Sequence, residues 1–521
     1  MMAARLFPRD RLGYQGDVSE TLSILVVGGG TAGWLTAAYL AKALGRSVAI
    51  TVLESPDIGI VGVGEGTFPT IRETLRFLDI PESMFVRTAA ATFKQGVRFD
   101  GWLHPTNEAG QAHSYLHPFE PPFQLGGVVS RWLAQDEQDR DAFADAVTIQ
   151  ARVTAAGRAP KQASDGEFDG PLAYAYHFDA VKLADVLAER ARELGVRHLT
   201  GTLTGVVLDA RGSIDHVDTD AGTLEADLFI DCTGFKAELI GRALGSSLHS
   251  VADQLFTDRA LTCKLPMPEG QIASTTIATA HGGGWLWDIG LAEARGIGCV
   301  YSSRHIDDER AAAILTDYIG DAARDIVPRR IAFSAGWRER QWIGNCVAVG
   351  LSAGFLEPLE STGVVLIEVA AAMIAELLPH AGAVDASADR FNQVMAARYE
   401  GIVDFLKLHY CLSRRPEPFW RDNADPATWS PRLRSLMARW RMRPPSRFDF
   451  PVDTETFAYF NYQYILYGMG FATKPPPGHA DATAPVFDRI RAYAESAIRE
   501  LPPHRALVER LTTVSPARRG S

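Results

Sequence analysis

The sequence predicts an α/β protein built on a discontinuous dinucleotide-binding sheet and closed by a mainly helical C-terminal region. Three observations carry this. The stretch SILVVGGGTAGWLTAAYLAKALG (23–45) passes from a β-branched run through glycines into a small-residue helical pattern. Two more apolar runs ending in small residues, LFIDCTGFKAELIGRAL (228–244) and WIGNCVAVGLSAGFLEPLESTG (342–363), follow far downstream. Strand patterns then cease near Ala386.

In the first unit, Gly28, Gly30 and Gly33 satisfy GxGxxG at a strand-to-helix turn. The first permits the tight turn, the second lets backbone approach a pyrophosphate, and the third lets helix and strand pack closely. Thr31 and Ala32 open the helix, whose N-terminus offers free N–H groups and a positive dipole end to phosphate. The next strand, VAITVLE, ends in Glu54, at the spacing expected of a ribose-binding acid. The runs at 228–244 and 342–363 read as strands followed by helices that complete the same sheet. Single-domain NAD folds are seldom interrupted in this way, whereas flavin oxygenases often are. Between them, IASTTIATA and GIGCVYSS read as strands, and the Pro/Gly-punctuated HPFEPPFQLGG (117–127) reads as a surface loop. From Ala386 apolar residues recur at helical spacing after a Ser-Asp cap signal, with loops at RPPSRFDFP (443–451) and KPPPG (474–478). The expected division is a cofactor-binding and catalytic core over 1–385 and a substrate-covering helical region over 386–521, with TVSPARRGS (513–521) frayed.

Composition excludes several classes. With 521 residues, 46% of them hydrophobic, the chain buries a large core. A net charge of −11 argues against nucleic acid, which needs a concentrated basic face. The five cysteines form no CxxC pair and no metal-like spacing, so neither disulfides nor a metal site is expected, and a cytoplasmic compartment fits. MMAARLFPRDRLGYQGDVSE lacks the plan of a signal peptide. GVVLIEVAAAMIAELL, from Gly363, carries Glu368 and Glu376 and falls short of the roughly 20 apolar residues a membrane span requires.

Four motifs together resemble the flavin-dependent halogenases, in the branch typified by tryptophan halogenases. GGGTAGW (28–34) looks like their flavin-binding turn and GVGEGTFPTI (62–71) like their flavin strap. GWLWDIG (284–290) resembles their WxWxIP signature, with Gly290 in place of proline, and FLEPLESTG (355–363) matches FxxPxxSxG in full. The resemblance implies a flavin-monooxygenase-like fold and an enzyme that uses FADH2, O2 and a halide. A separate flavin reductase would supply the FADH2, and the substrate would be a small aromatic molecule. It adds Gly64, Glu65 and Leu351 to the cofactor contacts, and gives Trp285 and Trp287 the task of keeping substrate from the flavin. Gly290 is expected to loosen the loop after Trp287.

The same resemblance assigns the chemistry. The amides of Thr362 and Gly363 would bind halide, Ser361 would link the two sites through its peptide, and Glu360 would point into the substrate site as proton acceptor or hydrogen-bond partner. Lys94, in AATFKQGVRFDGW, matches the family's catalytic lysine, where desolvation favours the neutral amine. Glu357 reads as structural. His113 and Tyr115 fall where the tryptophan branch sandwiches the indole, and Phe457 near that branch's closing tryptophan. The segment PPSRFDFPVDTETFAYFNYQYILYGMGF (444–471) lacks the branch's paired tyrosines, so free tryptophan would leave its charged groups poorly paired. The expected substrate is therefore indole or an indole derivative, brominated in preference to chlorinated. A flavin-dependent aromatic monooxygenase is the alternative, and the sequence leaves a homodimer open.

Overall fold

The computed structural model describes residues 21–513 apart from 60, 61, 63, 107–111, 125, 126, 324, 325, 380–383, 452, 453, 476 and 478–484. The N-terminal segment, most of the C-terminal tail and part of KPPPG lie outside the described residues.

The run Leu22–Val27 forms a strand flanked in parallel by Val48–Glu54 and Leu228–Asp231, with Val27 opposite both Leu53 and Asp231. Cys346–Ala348 extends the sheet beyond Leu228–Asp231, Arg197–Thr200 forms the other edge, and Trp342–Ile343 adds an antiparallel strand. Both late segments thus join the sheet begun by the Gly-rich unit. The strands read as continuous apolar runs because both faces are covered. Ile24 and Val26 meet the core that includes Trp34, Leu183 and Ile374, while Leu25 and Val27 meet Phe229, Ile240 and Ala348. The 228–244 unit departs from expectation after its strand. Asp231 accepts the amides of Thr233, Leu239 and Ile240, and the chain winds into a short π-helical turn, Glu238–Ala243, instead of an α-helix.

A seven-stranded sheet lies alongside, ordered Arg329–Ala332, Arg259–Pro266, Ala294–Tyr301, Gly284–Gly290, Thr276–His281, Gly96–Asp100 and Ser114–Pro118. Its pairings are antiparallel except Thr276–His281 with Gly96–Asp100. Directly opposed residues share a face, so Tyr115, Phe99, Ala278 and Trp287 form one row and His117, Val97 and Thr276 the next. A third sheet is small and central to function: the strap strand Glu65–Gly66, then Ala175–Phe178, then Thr92–Lys94.

The C-terminal region is helical as expected, but its helices do more than cover one side. Asp385–Cys411 begins after Val384 with no side-chain cap, so Ser387 and Asp389 lie inside its first turns instead of capping it. It ends with Phe405, Lys407, His409 and Tyr410 all buried. Tyr459–Gly468 packs on Ser114–Pro118, Pro485–Glu500 on Phe143–Val147 and Gln150–Ala155, and His504–Thr513 on Glu82–Thr88. RPPSRFDFP forms a loop with a single 3-10 turn, Arg447–Asp449, closed by a Ser446 capping box. No helix among the described residues is long and apolar enough to cross a membrane.

Candidate active site

The Gly-rich turn has the geometry its spacing requires. Gly28 sits at φ +120°, and a Cβ there would come within 2.2 Å of the Cys232 carbonyl oxygen. A Cβ on Gly33 would lie 1.9 Å from the Gly28 carbonyl oxygen, so only glycine lets helix and strand meet. A Cβ on Gly30 would meet nothing within 4 Å, and the helix Thr31–Leu44 starts there without a side-chain cap. With open space at Gly30 and no side-chain cap, the helix start offers the kind of cradle a pyrophosphate needs. Glu54 lies against Gly29, and its carboxylate stays 33% exposed, with His198 Nε2 2.9 Å away. Gly350, just before Leu351, packs its Cα side on Ala32. These residues fit FAD.

The strap is anchored by pairing. Glu65 lies opposite Phe178 and Gly66 opposite His177, while Thr67 donates its amide to the Tyr176 carbonyl at 3.0 Å and accepts the Tyr176 amide at 3.1 Å. Gly64, at φ +140°, rests against Ile289 and Gly296. Burial raises the Glu65 carboxyl to about 7, with Asp179 adding to the effect.

Across the same small sheet, Lys94 is 1% exposed and donates from Nζ to Ser361 Oγ at 2.9 Å. Desolvation lowers its amine to about 8, against an opposing pull from Glu360. The Phe119 ring lies 5.5 Å from Nζ. Gly66 closes the other side: a Cβ there would stand 2.7 Å from Ser361 Oγ and 3.0 Å from Lys94 Nζ.

Ser361 occupies the left-handed region, φ +59°, a conformation non-glycine residues hold mainly where surrounding structure enforces it. This kink ends the 3-10 turn Pro358–Glu360 and starts the helix Thr362–Leu377, again with no side-chain cap. The amides of Thr362 and Gly363 open that helix, and a Cβ on Gly363 would meet nothing within 4 Å.

Glu360 turns away from this helix into a pair of imidazoles. His117 Nδ1 and His409 Nε2 each donate to Oε1 at 2.9 Å. Although desolvation acts in the opposite direction, these two partners bring its carboxyl down to about 2. His409 Nδ1 donates to the Phe405 carbonyl at 2.9 Å. Both ring nitrogens of His409 therefore face acceptor oxygens. His117 Nε2 reaches the half-buried Asn461 side chain at 2.9 Å. Glu357, 1% exposed, accepts from Thr257 at 2.6 Å, Tyr410 at 2.7 Å and Trp285 at 3.3 Å, and burial raises its carboxyl. It is the hydrogen-bonding hub the structural reading expected.

The structure distributes the remaining candidates unevenly. It is His117 and Phe119 that touch Glu360 and Lys94, whereas His113 and Tyr115 stand further along the strand. HPFEPPFQLGG is therefore not a plain surface loop: His117 is 2% exposed. The alternation Tyr115, His117 on one strand face was the signal that could have found it. Tyr115 is stacked on Phe99 at 4.8 Å, and His113 is half-buried beside His104. Phe457 is fully buried, stacked on Phe405 at 3.7 Å and 5.2 Å from Phe68 of the strap segment. Trp285 and Trp287 lie side by side at 6.2 Å, Trp287 filling the space over Gly298. Gly290 does not loosen a loop: it ends the strand Gly284–Gly290, and its carbonyl accepts from Thr92 at 2.7 Å. Tyr462 and Tyr464 are core residues, while Tyr459 and Phe460 stay half-buried.

Comparison with known proteins agrees with this geometry. Residues 23–485 match the family model for tryptophan halogenase. The chain is 36% identical to tryptophan 6-halogenase SttH of Streptomyces toxytricini, over 92% of this chain and 96% of that one. A tryptophan halogenase structure from Shewanella frigidimarina superposes with a TM-score of 0.89 at 36% identity, covering 94% of this chain and 98% of the other. A flavin-dependent halogenase of Xanthomonas campestris gives 0.85 at 33% identity, covering 94% and 98%. With the strap, the Lys94–Ser361 contact and the buried Glu360 in place, the chain belongs to the tryptophan halogenase family of flavin-dependent halogenases.

Proposed function

We propose that this enzyme brominates or chlorinates an electron-rich aromatic substrate of the indole type other than free tryptophan, with Lys94 and Glu360 as its catalytic residues. The observation that carries the reading is the single buried cluster in which Lys94 Nζ, Ser361 Oγ and the Glu360 carboxylate are held by adjoining backbone. Bound as FADH2, the flavin with O2 supplies the oxidation of halide to hypohalous acid. Gly28, Gly30, Thr31, Ala32, Gly33, Glu54, Gly64, Glu65 and Leu351 would hold it, and the uncapped amides of Thr362 and Gly363 would hold the halide.

An amine brought to about 8 exists partly as the free base at neutral pH, able to hydrogen-bond or accept the electrophilic halogen. A carboxyl lowered to about 2 stays ionised, so Glu360, held in place by His117 and His409, stabilises positive charge on the ring as halogen adds and can accept the departing proton. His117 and Phe119 supply the ring-facing wall beside this pair.

The segment 444–471 supports a substrate without an ammonium group. Glu455 is 7% exposed and already held by Arg432 at 2.7 Å and Tyr462 at 2.6 Å. Asp449 is held by Arg439, Arg443 and Trp440. Both acids described there are therefore committed to partners.

The test supplies purified protein with FAD, a flavin reductase, NADH, O2 and either bromide or chloride, offers indole and tryptophan in parallel, and reads products by mass spectrometry. Halogenated indole is expected to exceed halogenated tryptophan, with bromide ahead of chloride, and Lys94→Ala to lower the yield by about a hundredfold or more. An oxygenated product, or equal yield from Lys94→Ala, would overturn the reading in favour of a monooxygenase or of free oxidant in solution.

A further inference from the structure

We infer that His504, in the last helix of the described chain, is a positioning residue for Lys94. The inference rests on the reading of Lys94 as catalytic. The strand Thr92–Lys94 is the outer member of its small sheet, paired among the described residues only with Ala175–Phe178. Successive amides of an antiparallel strand point to opposite edges, so those of Phe93 and Gln95 face the edge where no strand lies. An unpaired buried amide is costly, and both are satisfied from elsewhere. Gln95 donates to the Ser274 carbonyl at 2.7 Å. Phe93 donates to His504 Nε2 at 3.0 Å.

His504 is built for that acceptor role. Its Nδ1–H donates to the Ile272 carbonyl at 2.9 Å, which leaves the lone pair on Nε2 for Phe93. The ring is 1% exposed and crosses the Phe93 ring edge-on at 6.1 Å. Burial brings its imidazole down to about 4, so Nε2 keeps its lone pair at neutral pH. Its own amide is tied to the Gly157 carbonyl at 2.9 Å. The amides on both sides of Lys94 are thus clamped from distant segments, and the 2.9 Å contact between Nζ and Ser361 depends on the strand staying in place.

Two variants separate the two nitrogens of His504. The amide of His504→Asn reaches the position of Nδ1, and that of His504→Gln the position of Nε2. His504→Gln is expected to keep kcat within about threefold, and His504→Asn to lose about tenfold or more, because a displacement near 1 Å can cost up to about a hundredfold. KM and FAD affinity by fluorescence titration should stay near parent values in both, while the melting temperature should hold in His504→Gln and fall in His504→Asn, whose Phe93 amide loses its acceptor, with the protein still fully folded at the assay temperature. The ascending limb of the kcat profile, where Lys94 loses its proton, should move in His504→Asn alone. Equal behaviour of the two variants, or a loss traced wholly to weaker FAD binding or a lower melting temperature, would overturn the inference. If Lys94→Ala is inactive and His504→Asn is as active as the parent, the inference fails alone; if Lys94→Ala retains full activity, the functional reading fails first.

Discussion

Lys94 has a side chain chosen against the interests of the fold. Burial moves its amine from 10.5 to about 8, so the folded state binds its proton less tightly than the unfolded chain does. Stability therefore rises with pH between about 8 and 10.5, and below 8 the buried charge costs on the order of 3 kcal/mol. Lys94→Met is expected to melt at a higher temperature than the parent at pH 7, with the gap closing toward pH 10, while losing halogenation; a lower melting temperature at pH 7 would refute the desolvation account. At this scale the sequence was legible where a motif carried the residue. Lys94, Ser361 and Glu360 stand together, and Ser361 holds the strained backbone between the two proposed catalytic groups. The partners of Glu360 were illegible because His117 and His409 come from a strand and a helix 292 positions apart, as their numbers show, and no local pattern joins them.

One helix connects two elements of the site. Thr362–Leu377 begins at the proposed halide amides, and on its second turn Glu368, 6% exposed, accepts from Thr70 of the strap segment at 2.9 Å and from Thr74, on the helix that follows it, at 2.5 Å. Burial raises this carboxyl from 4.5 to about 7. Here the folded state binds the proton more tightly, so the contribution is fully present below about 4.5 and is lost as pH rises through 7. Glu368→Gln keeps the hydrogen bonding without the titration. Its stability by denaturant unfolding should match the parent near pH 5 and exceed it at pH 8, and parallel pH curves for the two proteins would argue against the assignment. The sequence marked Glu368 as an obstacle to a membrane span, but not the threonines that donate to it. Element types were readable wherever periodicity was strong, as in Leu22–Val27 and Asp385–Cys411. They were misread where a side chain overrode it, as Asp231 does by drawing the following chain into a π-helical turn.

For the whole molecule, the boundary near Ala386 marks a change of composition that buried hydrogen bonds cross. His409 and Tyr410 satisfy Glu360 and Glu357, and His504 satisfies Phe93, so the C-terminal region completes buried polar groups of the core. A chain ending at residue 385 is expected to fail to give soluble, cooperatively melting protein, because each lost partner strands a buried group at about 1–3 kcal/mol. A fragment that binds FAD and melts in one sharp transition would show instead that the core stands alone. The broad plan, a sheet assembled from distant segments and a helical end, was legible from apolar runs; the interlock was not, since it depends on single polar atoms. The small sheet carrying the strap and Lys94 has a consequence for how such an enzyme can change. Strap and lysine strands are separated by one intervening strand, and neighbouring strands keep a spacing of about 4.8 Å set by backbone hydrogen bonds. That spacing works as a fixed gauge: helices and loops around His117, Phe119 and Phe457 can be recut while the distance between strap and lysine strands stays set by the sheet.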